Sequence, residues 1–307
     1  MGKYRYNIGL GDKYLFGTEI EFTGVYLDNL SKLFNDNKAP VRFALHHKST
    51  GFTKYDEWYL DSDGTVTIKE GERLLGGELS SRILTDKKNA WQELKDICYL
   101  LKKAGASANY NCSNHVRVNL AYIQNEAYFF EVLAKIISLY EPEIKLFYMG
   151  DDYLTRRTSF DYARDLSNSL LQYINDIDFN APDYFYRFKN HRGITYFTRK
   201  DAINLQDYDN SKLIELRYAN GTVNEKTIQN NINFTLKLID AIRRELFDPK
   251  ELSRKVEEEK ETLGIRAIFG NYKSKEFEQL VHAISTSEDD TDDIMSQYEY
   301  ILSRKPR

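Results

Sequence analysis

Three well-separated segments repeat one arrangement, and that recurrence limits the fold more than any other feature of the chain. In Phe16-Gly17-Thr18-Glu19-Ile20-Glu21-Phe22, Glu19 and Glu21 fall on one face of a strand, with Phe16, Ile20 and Phe22 on the other. In Asn114-His115-Val116-Arg117-Val118-Asn119-Leu120, the valines and Leu120 oppose His115, Arg117 and Asn119. In Lys212-Leu213-Ile214-Glu215-Leu216-Arg217-Tyr218, Ile214, Leu216 and Tyr218 oppose Glu215 and Arg217. Strands with one apolar and one charged face belong to antiparallel sheets packed on a single side.

Short alternating runs extend this pattern to residues 14–26, 54–84, 113–121 and 194–218. Between them lie helical stripes. One runs from Asp86 to Lys103 and carries Trp91, Leu94, Cys98 and Leu101, with Gly105 as its stop. A second spans Glu126 to Tyr140 and is expected to end before Pro142. A third spans Glu225 to Phe247, capped by Asn224, and is expected to pack beneath the sheet. Asp248-Pro249 reads as a cap followed by proline at the first helical position, after which Lys and Glu crowd the chain as far as Glu261. This divides the chain into a catalytic domain over residues 1–247 and a charged helical appendage over 248–307. Within the appendage, the acidic run Ser285 to Asp293 reads as a solvated linker or a helix start.

The net charge of −4 provides no broad basic field for nucleic acid. Cys98 and Cys112 are too few for a disulfide framework and read as buried thiols in a reducing, cytoplasmic setting. No stretch reads as a leader or a membrane span.

A single Glu-x-Glu strand is ordinarily a solvated sheet face. Three such faces, joined by Gly76-Gly77-Glu78-Leu79-Ser80-Ser81, could converge on a cleft holding four Glu and a His, hard donors that suit Mg²⁺ or Mn²⁺ rather than zinc. The two glycines are expected to let backbone approach a ligand closely. Clustered carboxylates repel one another by about 4 kcal/mol per pair at 4 Å and an effective dielectric of 20, and therefore call for cations. Arg117 and Arg217 beside them suit the oxygens of a transferring phosphoryl group. No P-loop or Gly-x-Gly-x-x-Gly dinucleotide motif is present. His46 and His47, adjacent and so divergent, read as loop residues.

The ordered set formed by the 16–22 segment, Asp63-Gly64-Thr65, Gly77 to Ser81, Asn114-His115-Val116, Ile214 to Arg217 and Asn220-Gly221-Thr222 resembles the amidoligase family, relatives of glutamine synthetase and glutamate–cysteine ligase, over roughly residues 14–245. The resemblance implies an α+β fold: a glutamine-synthetase-like antiparallel sheet curved into half a barrel, with helices on its outer face and the active site within. It also implies that Glu21 and Glu78 bind a metal near the acceptor substrate. Glu19, His115 and Glu215 would bind a metal at the nucleotide phosphates, with Arg217 as clamp on the γ-phosphate. Arg156 or Arg157, and the Tyr196 to Leu205 segment with Arg199 and Asn204, would line the cleft, Arg199 as a further phosphate contact. Two positions depart from the pattern: Arg117 stands where many members carry a second histidine, and Thr65 where serine is usual.

The implied reaction is ATP-dependent joining of a small or peptidic carboxylate to an amine through an acyl phosphate, with Asp61 or Asp63 positioning the amine unless they merely form an Asp-Gly turn. Two rivals remain: a two-metal phosphoesterase or nuclease acting without ATP, and an idle relative that binds a protein partner, or itself, through 248–307.

Overall fold

The computed structural model describes residues 3–43, 56–150, 163–260 and 272–304. His46, His47, Arg156, Arg157 and Glu261 lie outside these residues. The fold is mixed α+β. Its main sheet has eight strands: β1 (Phe16–Tyr26), β2 (Val41–Phe43), β3 (Trp58–Asp61), β4 (Ile68–Glu70), β5 (Arg73–Ser80), β6 (Ser113–Asn119), β9 (Ile203–Asn204) and β10 (Leu213–Asn220). A separate hairpin joins β7 (Asn190–His191) to β8 (Ile194–Thr195). Among the described residues the order across the main sheet is β2-β3-β5-β1-β6-β10-β9, with β4 also paired to β5, and only β2–β3 is parallel.

Alternation settles which face is core. Ile20, Phe22, Leu60, Leu79, Val116, Val118 and Ile214 are fully buried on one side. The helices Lys88–Lys103, Glu126–Tyr148 and Glu225–Arg243 contribute to the same core. The last is capped as expected, the Asn224 side chain accepting from the Lys226 N–H, and it ends at Arg243 rather than Phe247.

The expected helix end before Pro142 fails for a physical reason. The helix starting at Glu126 runs through Pro142 to Tyr148. Proline removes one hydrogen bond at a cost of about 3 kcal/mol, whereas burying each large apolar side chain is worth about 1.5–3 kcal/mol. The turns after Pro142 bury Ile144, Leu146, Phe147 and Tyr148. Gly76 and Gly77 are required by strand packing. Gly76 has φ +77°, and a Cβ on Gly77 would lie 2.5 Å from the Asp61 carbonyl oxygen.

The acidic run near the C-terminus is no solvated linker. It starts the helix Glu288–Arg304, and two of its carboxylates are inside the molecule. Asp290 pairs with Arg5 at 2.8 Å and with Lys237 at 2.8 Å. Asp293 pairs with Lys226 at 2.7 Å and Arg5 at 3.2 Å. Burial opposes ionisation of Asp290, but Lys237 and then Arg5 hold its pKa well below the ordinary carboxylate range. The helices Pro249–Glu259, Ser274–Ile284 and Glu288–Arg304 add Val256, Phe277, Val281, Ile294 and Tyr298 to the one hydrophobic core. Among the described residues no helix is long and apolar enough to cross a membrane.

Candidate active site

Register brings the charged faces together. On β1, Glu19 stands opposite Ser80 of β5 and His115 of β6, and Glu21 stands opposite Glu78. Glu215 of β10 is opposite Arg117 of β6, and Asp61 of β3 is opposite Glu78. Glu19, Glu21, Glu78, His115 and Glu215 therefore occupy four adjacent strands. They are less solvated than an ordinary outer face: Glu19, Glu21 and Glu215 are each 6% exposed and His115 is 3% exposed.

The contacts are dense. His115 Nδ1 lies 2.8 Å from Glu19 and 3.6 Å from Glu215. Arg117 bridges the two carboxylates, bonding Glu19 directly and reaching Glu215 at 3.1 Å. Arg217 grips the other oxygen of Glu215 at 3.1 Å, and Asn204 donates to that oxygen at 2.7 Å. The β6–β10 register shifts between Leu216 and Ala219. Such irregularities re-aim side chains, and Arg217, within this one, is turned toward Glu215 and His115.

Electrostatics separate the carboxylates into two kinds. Burial opposes ionisation of Glu19, but Arg117 and then His115 bring its pKa below the usual value. For Glu215, Arg117 and Arg217 overcome the same burial by a wider margin. Glu78 behaves oppositely: burial, then the charges of Glu19 and Glu21, push its pKa well up. Arg117 is itself opposed by burial, yet Glu19, Glu215 and Glu78 fix it in the charged state.

Asp63 accepts from the Thr65 N–H at 2.7 Å and also binds the Thr65 hydroxyl, the arrangement of an Asp-Gly turn. Arg199 is not part of the carboxylate cluster. It lines a cleft of about 490 Å³ with Arg164, Lys189 and Lys200, beside the turn into β9. Cys98 and Cys112 are both buried and are not joined in a disulfide.

Three contributors were not picked out from the sequence. Ser113 bonds His115 Nε2 through its hydroxyl at 2.9 Å and donates its N–H to Glu21 at 2.6 Å. Ser80 donates to Glu78 at 2.8 Å. Both lie two residues from a predicted ligand, so the alternation that located Glu78 and His115 also marks them. Asn114 points to the core and gave no such sign. Its amide donates to the Glu19 carbonyl oxygen at 2.6 Å and to the Thr18 hydroxyl at 2.8 Å, fastening β6 to β1 beneath the cluster.

Glu19, His115 and Glu215 each offer a donor atom within 4.8 Å of the others. The carboxylate oxygens are donors of the kind that suits Mg²⁺ or Mn²⁺, and Arg117 lies between the two carboxylates.

No curated protein sequence matches the chain. Among solved structures, it is similar to glutamate–cysteine ligase from Francisella tularensis, determined in complex with AMP, with 12% identity, a TM-score of 0.47 and coverage of 97% of this chain and 84% of that one. It is also similar to a bifunctional glutathione synthetase from Pasteurella multocida, with 11% identity, a TM-score of 0.43 and coverage of 94% of this chain and 47% of that one. Residues 12–239 match the family described as "Putative amidoligase enzyme". With about three quarters of its length inside that match, the chain belongs to the amidoligase family.

Proposed function

We propose that this protein is an ATP-dependent ligase that joins a carboxylate to an amine through an acyl phosphate, using Mg²⁺ or Mn²⁺ held on the acidic strand face. The observation that supports this reading best is the gathering of Glu19, Glu21, Glu78, His115 and Glu215 on four neighbouring strands of an amidoligase-family chain. These five are the set from which metal ligands are drawn. A bound divalent ion would offset the negative charge of the nucleotide phosphates.

The chain's own groups take the remaining roles. Arg217, anchored by Glu215, is placed to clamp the γ-phosphoryl group as a substrate carboxylate oxygen attacks phosphorus and ADP departs. The amine nitrogen then attacks the acyl carbon, the carbon–oxygen bond to phosphate breaks, and the amine proton passes to a nearby base. Asp61, in register with Glu78 on the neighbouring strand, is the candidate for that task. Arg199 and its basic cleft suit the nucleotide's outer phosphates.

The test is to incubate the purified protein with Mg²⁺, ATP, pooled amino acids or peptides, and hydroxylamine. Hydroxamate and ADP should form, and Glu21→Gln should abolish both. Equal yields from wild type and variant would remove the site from the reaction. Family membership does not favour phosphodiester cleavage, for which the same protein should show no ATP-independent activity.

A further inference from the structure

We propose that Arg117 is a built-in cation: its guanidinium fills the space between Glu19 and Glu215 that a divalent ion would otherwise take. The native chain then binds its ion through Glu21 and Glu78 and not through Glu19, His115 and Glu215. Only the choice of Mg²⁺ or Mn²⁺ rests on the ligase reading above.

The inner trio has the spacing of a metal site, with donor atoms within 4.8 Å of one another. Its carboxylate oxygens, however, already have cationic, imidazole or amide partners within the chain. Both Glu19 oxygens have partners, one Arg117 and the other His115. On Glu215, Oε1 is held by Arg117 at 3.1 Å and Oε2 by Arg217 at 3.1 Å and Asn204 at 2.7 Å. His115 has Nδ1 directed at Glu19 and Nε2 at Ser113, so an ion could take a ring nitrogen only by displacing one of these contacts. A metal in this position would also lie within a few ångströms of the guanidinium of Arg117, where like charges repel strongly.

Glu21 and Glu78 contrast with this. They face each other across β1 and β5, where the Ser113 N–H donates to Glu21 and the Ser80 hydroxyl to Glu78. Among the described residues neither forms an ion pair with Lys or Arg. A buried and a half-buried carboxylate that share a site without a Lys or Arg of their own form the pair a hard dication would bridge.

The experiment is a Mn²⁺ titration of the full chain without nucleotide, followed by electron paramagnetic resonance and electron spin-echo modulation. Wild type should show oxygen ligation with no ¹⁴N modulation from imidazole, and Glu78→Gln should weaken its Mn²⁺ binding at least tenfold. Arg117→Ala should bind one ion more than wild type and acquire the ¹⁴N signal of His115. A ¹⁴N signal in wild type, or equal ion counts in wild type and a folded Arg117→Ala, would overturn the proposal. The wild-type spectrum decides the matter even if Arg117→Ala does not fold. Absence of hydroxamate formation would count against the ligase reading while leaving these ion counts intact.

Discussion

Two regions of this molecule bury carboxylates, and they do so under different rules. At the junction between the N-terminal segment and the last helix, Asp290 and Asp293 meet three cations, Arg5, Lys226 and Lys237. On the strand face, Glu19, Glu21, Glu78 and Glu215 meet two guanidinium groups, those of Arg117 and Arg217. The junction has enough positive charge within the protein to close it. The strand face is short of it, and the deficit falls on Glu21 and Glu78. Structural ion pairs are matched within the chain, whereas a site that must take cations or phosphates from solution leaves charge unmatched.

The contrast is open to attack in four ways. Arg217→Ala removes the one arginine whose proposed partner is the substrate's phosphoryl group. Hydroxamate formation should fall by about 10²- to 10³-fold, and a loss below tenfold would place Arg217 outside the reaction. Asp290→Ala leaves Lys237 buried without its partner, so urea unfolding should show a loss of about 3–5 kcal/mol with activity per folded molecule unchanged. The junction should also be sensitive to acid. Because the folded pKa of Asp290 is depressed, its contribution is complete above the ordinary carboxylate value near 3.9 and disappears as pH falls toward the folded value. Unfolding midpoints measured from pH 5 to 2 should therefore drop for wild type, chiefly below pH 4, and drop less for Asp290→Asn. The smallest effect has the opposite sign. Glu78→Gln relieves repulsion from Glu19 and Glu21, so it should leave stability unchanged or raise it by about 0.5–1 kcal/mol. A clear destabilisation would show that Glu78 is matched within the protein after all.

How much of this was legible beforehand depended on whether local pattern or long-range partnership decides the outcome. Period-two alternation in 16–22, 113–119 and 213–218 was enough to assign faces, and the strands and their charged sides agree with it. Asn224 and Asp248 were readable as caps because capping is a local bond. Pro142 misled because the burial that carries its helix onward comes from elements distant in sequence. The acidic run ending at Asp293 was legible as a helix start but not as a buried one, since Arg5 lies 285 residues from Asp290. At Arg117 the residue type was noted, but nothing in the sequence placed its side chain between Glu19 and Glu215. That position follows from the β1–β6–β10 register.

The register has a further consequence for how the protein comes into being. Glu19 meets His115 across 96 residues of chain, and Arg117 meets Glu215 across 98. Closing loops of that length is slow compared with helix formation, so the cleft can exist only once the middle of the sheet has zipped. Until β10 docks, Arg117 lacks one of its two carboxylates and Glu215 is not in place. During refolding, the Arg117 bridge between Glu19 and Glu215 should therefore form together with the last strand and later than helical signal, making that bridge a clock for completion of the sheet.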